Sequence, residues 1–89
     1  MLFVKFHTSF KKDLKKCVKR GKDISKFNIV LDILEKNRFL PFKYKDHKLI
    51  GNYKGFRELH IEPDWLLIYK IEGENLLLHR MGSHNDLFD

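Results

Sequence analysis

The stretch RELHIEPDWLLIYK, residues 57–70, decides the fold. From Trp65 to Tyr69 every residue is apolar or aromatic. That pattern marks a strand buried on both faces and therefore flanked by neighbours in a sheet. The half before it ends at Glu62 and Pro63, which form the connection between two strands. Working outward, NYKGFRELHI (52–61), DWLLIYKIE (64–72) and NLLLHRM (75–81) are rich in β-branched, aromatic and leucine residues and are separated by EP and EGEN. They predict an antiparallel meander whose middle strand is central.

The N-terminal half has a different period. LFVKFH (2–7) alternates Leu2, Val4 and Phe6 inward as a short first strand. In TSFKKDLKKCVKRG (8–21), Phe10, Leu14, Cys17 and Val18 fall at helical spacing, with Thr8 or Ser9 as N-cap and Gly21 as the stop. Asp23 or Ser25 caps a second helix that lines one face with Ile24, Phe27, Val30 or Leu31, and Leu34, ending before NRFLPF. The expected architecture is α+β, in the order β-α-α-β-β-β, with two N-terminal helices packed on one face of a small, mostly antiparallel sheet.

Size and composition bound the rest. The 89 residues make a single domain, 1–89, and a domain this small buries only roughly 60% of the surface its unfolded chain exposes. With 43% hydrophobic and 34% charged residues the chain sits among folded proteins rather than disordered ones. The lone Cys17 excludes an internal disulfide and every multi-cysteine zinc pattern, which fits the reducing cytoplasm. The opening MLFVKFHTSF meets Lys11 and Lys12 too soon for a signal peptide, and no apolar run approaches the length of a bilayer span. No membrane partner is expected.

The net charge of +6 is unevenly placed. Residues 1–50 carry 14 Lys and Arg against 5 Asp and Glu, a net +9, whereas residues 51–89 carry 4 against 7, a net −3. A basic half attracts phosphate backbones and makes binding salt-dependent. Lys11, Lys12, Lys15 and Lys16 are the candidate RNA-binding residues of the first helix; the plainer reading is that they solvate its outer face.

The ionisable groups of the acidic half are of catalytic kinds. His60 ends one strand and Asp64 begins the next, so a tight turn brings imidazole and carboxylate together; local hydrogen bonding at a turn is the structural alternative. In HRMGSHNDLFD (79–89), Ser83 caps a single helical turn that puts His84 and Phe88 on one side. His47 adds a third imidazole just ahead of the meander. Metal-free RNA cleavage needs a base for the ribose 2′-hydroxyl, an acid for the departing 5′-oxygen and a cation for the growing phosphate charge. The histidines, Asp64, Arg57 and Arg80 supply these. A zinc hydrolase would take three such side chains as ligands, yet the sequence has no His-Glu-x-x-His or comparable close-spaced pair.

From Asp46 to Phe88 the chain resembles the YafQ branch of the RelE-like bacterial toxins. The elements D-H-x-L, G-x-x-K-G-x-R-E-x-H-x-x-P-D, L-L-I-Y and R-x-G-S-H-x-x-L-F occur in order. The N-terminal half agrees in element order and basic character. The resemblance implies a RelE-like microbial RNase fold and the toxin of a type II toxin-antitoxin system. Such a toxin is an mRNA interferase, an endoribonuclease that enters the ribosomal A site, cuts the translated message and is silenced by a cognate antitoxin; the residue chemistry above predicts that it needs no cofactor or metal, and the charge asymmetry that its basic first helix touches ribosomal RNA. It carries functional roles onto His47, His60, His84, Asp64, Phe88 and Arg80, with His84 as general acid and His60 or His47 with Asp64 handling the 2′-hydroxyl proton.

Other assignments stay open at this level. Arg57 and His60 lie three apart, so they point to opposite faces unless a bulge intervenes; Arg57 is either a phosphate ligand or a structural partner of Glu58 or Glu62. Trp65 is either core or a base-stacking surface. Cys17, His7 and His79 read as packing residues, and Asp89 places a negative charge beside the proposed Phe88 stack. A non-catalytic RNA- or protein-binding module and a metal-dependent hydrolase are the competing functions.

Overall fold

The meander expected from residues 52–81 forms the middle of the sheet in the computed structural model, which describes residues 1–88. The expectation for Asp89 lies outside the described residues. Strands β3 (Arg57–Glu62), β4 (Trp65–Glu72) and β5 (Asn75–Gly82) are antiparallel neighbours. Strand β1 (Phe3–Phe6) pairs in parallel with β5, and the two-residue β2 (His47–Lys48) pairs with β3. The sheet order β1-β5-β4-β3-β2 places β4 at the centre. The fold is α+β. No helix among the described residues is long and apolar enough to cross a membrane.

Helix α1 (Thr8–Lys19) starts at His7 rather than at Thr8 or Ser9, because the His7 Nδ1 accepts the Ser9 backbone N–H at 3.1 Å. It stops at Gly21, whose φ of +78° is readily available only to glycine. Helix α2 (Ile24–Glu35) is capped by Asp23, which accepts from the Ser25 N–H at 3.0 Å. Both helices cover one face of the sheet. There Phe10, Cys17, Phe27, Val30 and Leu34 pack on Leu59, Trp65, Leu67, Tyr69, Leu76 and Leu78. Burial pushes the Cys17 thiol above its ordinary range, which suits a core residue.

The opposite face carries no long helix. The side chains of Leu66 and Ile68 emerge there and are covered by Leu49, Tyr53, Phe56 and Leu87. Strand β4 thus alternates Trp65, Leu67 and Tyr69 toward the helices with Leu66 and Ile68 toward this second face, which is why its sequence is apolar throughout. Leu87 belongs to a terminal helical turn, α3 (His84–Phe88), docked on that face.

Two inward assignments from periodicity are corrected. Val18 is 55% exposed because the buried stripe of α1 turns toward Asp13 instead. Phe6, on the edge strand, is about half exposed and lies on the Phe10 ring at 5.7 Å.

Asp13 is buried for a backbone reason. Beyond Leu78, β5 has no β1 neighbour, so the Met81 N–H needs an acceptor. The Asp13 Oδ2 takes it at 2.9 Å and also accepts from the Arg80 Nε at 2.7 Å. Asp13→Ala orphans both donors. It is expected to cost about 2–3 kcal/mol, read as a lower urea midpoint; an unchanged midpoint would contradict this role.

Candidate active site

The helix-poor face collects the histidines. The rings of His47, His60, His84 and Phe88 form a row with successive centroid separations of 6.2, 5.9 and 6.2 Å. Three segments contribute: β2, β3 and the terminal turn α3, which supplies both His84 and Phe88. Tyr53 closes the row edge-on against Phe88 at 5.6 Å, and its hydroxyl donates to the Leu87 carbonyl at 3.2 Å.

Glu58 is the residue that sequence reasoning missed. Its carboxylate is only 4% exposed and faces two imidazoles, with its Oε1 3.5 Å from the Nε2 of both His47 and His60. Strand geometry explains the meeting: Glu58 and His60 are two apart on one strand face, and His47 is the cross-strand partner of Glu58. The i, i+2 relation was the available signal. Each ring is aimed from behind. The His47 Nδ1 donates to the Lys45 carbonyl at 2.7 Å and the His60 Nδ1 to the Pro63 carbonyl at 3.2 Å. With Nδ1 protonated, each neutral ring presents an Nε2 lone pair, and a proton arriving there meets the Glu58 carboxylate.

Asp64 does not pair with His60. The strand register shifts between His60 and Glu62, and the turn carries Asp64 toward α3 instead. There the His84 backbone N–H and ring Nδ1 both donate to its Oδ1, each at 2.9 Å. These bonds hold the Asp64 carboxyl below the usual carboxylate range. His84 begins α3 as expected: the Ser83 Oγ accepts from the Asp86 N–H at 3.2 Å while Asp86 accepts from the Ser83 N–H at 2.9 Å, a reciprocal capping box. Asp86 also binds the Arg20 guanidinium at 2.5 Å and the Lys16 ammonium at 3.4 Å, tying the tail to α1.

The arginines and Trp65 are placed differently from one another. Arg80 is gripped by Asp13, which with a smaller contribution from Tyr53 holds the guanidinium firmly charged. Arg57 points to the helix-side face, away from His60, because the bulge lies beyond His60 rather than before it. Its partner is neither Glu58 nor Glu62 but Asp46, met at 3.0 Å and shared with the Tyr69 hydroxyl. Trp65 is 0% exposed in the helix-side core, so its indole offers no face to a base; the stacking expectation is overturned by strand parity. Lys11, Lys12, Lys15 and Lys16 are all exposed along α1, Lys16 beside Asp86. His79 stacks on Phe56 at 4.5 Å, and its burial lowers its pKa, as fits a packing residue.

A family model described as the bacterial toxin of type II toxin-antitoxin system, YafQ, matches residues 2–89. The chain belongs to the YafQ family. The mRNA interferase toxin YafQ of Escherichia coli strain K12 is 42% identical over 86 residues, 96% of this chain and 94% of that protein. A chain of the E. coli DinJ–YafQ complex superposes with a TM-score of 0.93 at 40% identity, covering 100% of both. A copper-bound mutant toxin from Helicobacter pylori superposes with a TM-score of 0.94 at 42% identity, over 99% of this chain and 100% of that one.

On this YafQ-family frame, the side chains suited to a cation among the described residues are His47, Glu58 and His60, whose ligand atoms all lie within 4.8 Å of one another. Two imidazoles and a carboxylate fit copper or zinc. Glu58 and His60 are a close-spaced pair on one face of β3, and the β2–β3 pairing adds His47 from across the strands.

Asp86 gives the tail a pH dependence. Arg20 and the Ser83 N–H and hydroxyl hold its carboxyl far below the usual range. A lowered folded pKa contributes stability that is present above the unfolded value of about 3.9 and is lost as pH falls below it. Wild type is therefore expected to lose melting temperature more steeply below about pH 4 than Asp86→Asn, which starts lower at neutral pH. Parallel curves for the two proteins would contradict the assignment.

Proposed function

We propose that the row of rings on the helix-poor face cuts mRNA in the ribosomal A site by metal-free acid-base chemistry. The chain is an mRNA interferase toxin, an endoribonuclease of a type II toxin-antitoxin system. The observation that carries the mechanism is the pair of separate proton-handling groups on one face: His47 and His60 around Glu58, and His84 on Asp64.

His60 or His47 takes the 2′-hydroxyl proton at Nε2, and the Glu58 carboxylate stabilises the imidazolium that forms. The 2′-oxygen attacks the adjacent phosphorus. His84, held by Asp64, gives a proton to the departing 5′-oxygen, leaving a 2′,3′-cyclic phosphate and a 5′-hydroxyl. Arg80 offsets charge on the phosphoryl oxygens, and the half-exposed Phe88 stacks on a neighbouring base. Lys11, Lys12, Lys15 and Lys16 grip ribosomal RNA from α1. Arg57, paired with Asp46, serves the fold beside this surface. The inhibiting partner is a cognate antitoxin, as DinJ is of the E. coli toxin. The site of action is the cytoplasm, where ribosomes translate.

The three-ligand set supports a second reading, a metal-dependent hydrolase. His47, Glu58 and His60 would hold the cation, and the metal would supply Lewis-acid polarisation of the phosphate.

Primer extension on mRNA carried by programmed ribosomes separates the two. Chelator-resistant cleavage in the A-site codon, slowed roughly 10²- to 10⁴-fold by His84→Ala with the fold intact, is expected. Loss of cleavage on chelation would favour the metal reading. Failure of folded wild type to cut would leave a binding module.

A further inference from the structure

Beside His60, away from the row of rings, a cleft of about 480 Å³ runs between α2, the 3-10 turn Phe42–Tyr44 and the end of β3. Sites of 300–1,000 Å³ are the usual size for ligands as large as a nucleotide. Its lining joins two chemistries. Ile29, Tyr44 and Ile61 give an apolar surface, with Ile29 left 56% exposed. Lys26, Lys43 and Lys45 surround it.

The one carboxylate of the lining is neutralised: Glu62 takes Lys26 at 2.8 Å and Lys22 at 3.2 Å. Among the described residues Lys43 and Lys45 form no ion pair, the Lys43 ammonium lying 5.1 Å from the centre of the Tyr44 ring, so the rim keeps a surplus of positive charge. An apolar surface bordered by ammonium groups is what a single-stranded nucleic acid requires.

The cleft is also wired to the site. His60 is both a wall of the cleft and a member of the ring row. Lys45 sits at a φ of +50°, a conformation that side chains other than glycine rarely adopt. Its N–H bonds the Phe42 carbonyl at 2.9 Å, and its carbonyl receives the His47 Nδ1–H at 2.7 Å. The backbone that aims His47 therefore presents a lysine to the cleft.

We propose that this cleft is a second RNA subsite, in which a nucleotide flanking the cut lays its base on Ile29, Tyr44 and Ile61 and its phosphate against Lys43 and Lys45. This rests on the nuclease reading. RNA is favoured over a protein segment because the cleft is continuous with His60, so its occupant is the same strand that His60 acts on.

Two measurements test it. The first titrates Ile-methyl-labelled protein with a short RNA made uncleavable by a 2′-deoxy sugar at the cut. Shifts at the Ile29 and Ile61 methyls are expected. The second compares wild type with Lys43→Gln/Lys45→Asn, asparagine being tolerant of a positive φ, on programmed ribosomes. KM is expected to rise several-fold with kcat changing far less, and the log–log salt slope to flatten by about 0.7 per lost phosphate contact. Lys43→Arg should restore the slope at that position. Still methyls with unchanged KM and salt slope would overturn the proposal, as would a loss confined to kcat, which would mean that the lysines act only by placing His47. Failure of wild type to cut would remove the nuclease reading, and the methyl shifts would then decide the subsite by themselves.

Discussion

A buried carboxylate facing two imidazoles is the constraint on which the rest of the site depends. Glu58 lies almost entirely out of water, and a charge so placed is costly unless it is partnered. His47 and His60 become its partners once a proton or a cation sits at their Nε2 atoms, each ring being turned toward it by a backbone carbonyl behind the ring. The two-residue strand β2 has its clearest physical purpose here, since pairing His47 with Glu58 is what brings the third side chain of the cluster to the site. The same geometry serves a proton acceptor or a cation, because both need aligned Nε2 lone pairs beside a fixed negative charge.

The helices act on this site from the far side of the sheet. Asp13 of α1 reaches the open edge of β5, satisfies its backbone and fixes Arg80 in one gesture. Arg20, near the other end of α1, reaches Asp86 and so holds the turn that carries His84 and Phe88. Gly82 permits that approach: a β-carbon there would stand 2.8 Å from the Asp86 Oδ2. The two helices thus provide the core on one face, and α1 with its C-cap Arg20 anchors the reactive groups on the other.

Much of the fold was legible because β4 is buried on both sides and spells this out in five consecutive apolar and aromatic residues. The helices followed from caps and period, and the capping of α3 by Ser83 was visible in four residues. The failures share a cause, which is that side-chain direction depends on register and bulges. Trp65 belongs with Leu67 and Tyr69 by parity, on the helix side, although its neighbour Asp64 invited a functional reading. Adjacency across the turn matches Asp64 to His60, but the register shift after His60 sends it to His84. Adjacency offers Glu58 to Arg57, whereas alternation along β3 places it with His60. Asp13 carried no local signal, since its partners are 67 and 68 residues away.

The most direct test of the account is single-turnover cleavage by Glu58→Gln, which keeps the shape of the side chain and removes its charge. If the carboxylate stabilises the protonated base, the cleavage rate should fall by roughly 10²-fold or more while backbone amide spectra show an unchanged fold. A well-folded Glu58→Gln protein that cuts at the wild-type rate would contradict the central role of this buried carboxylate.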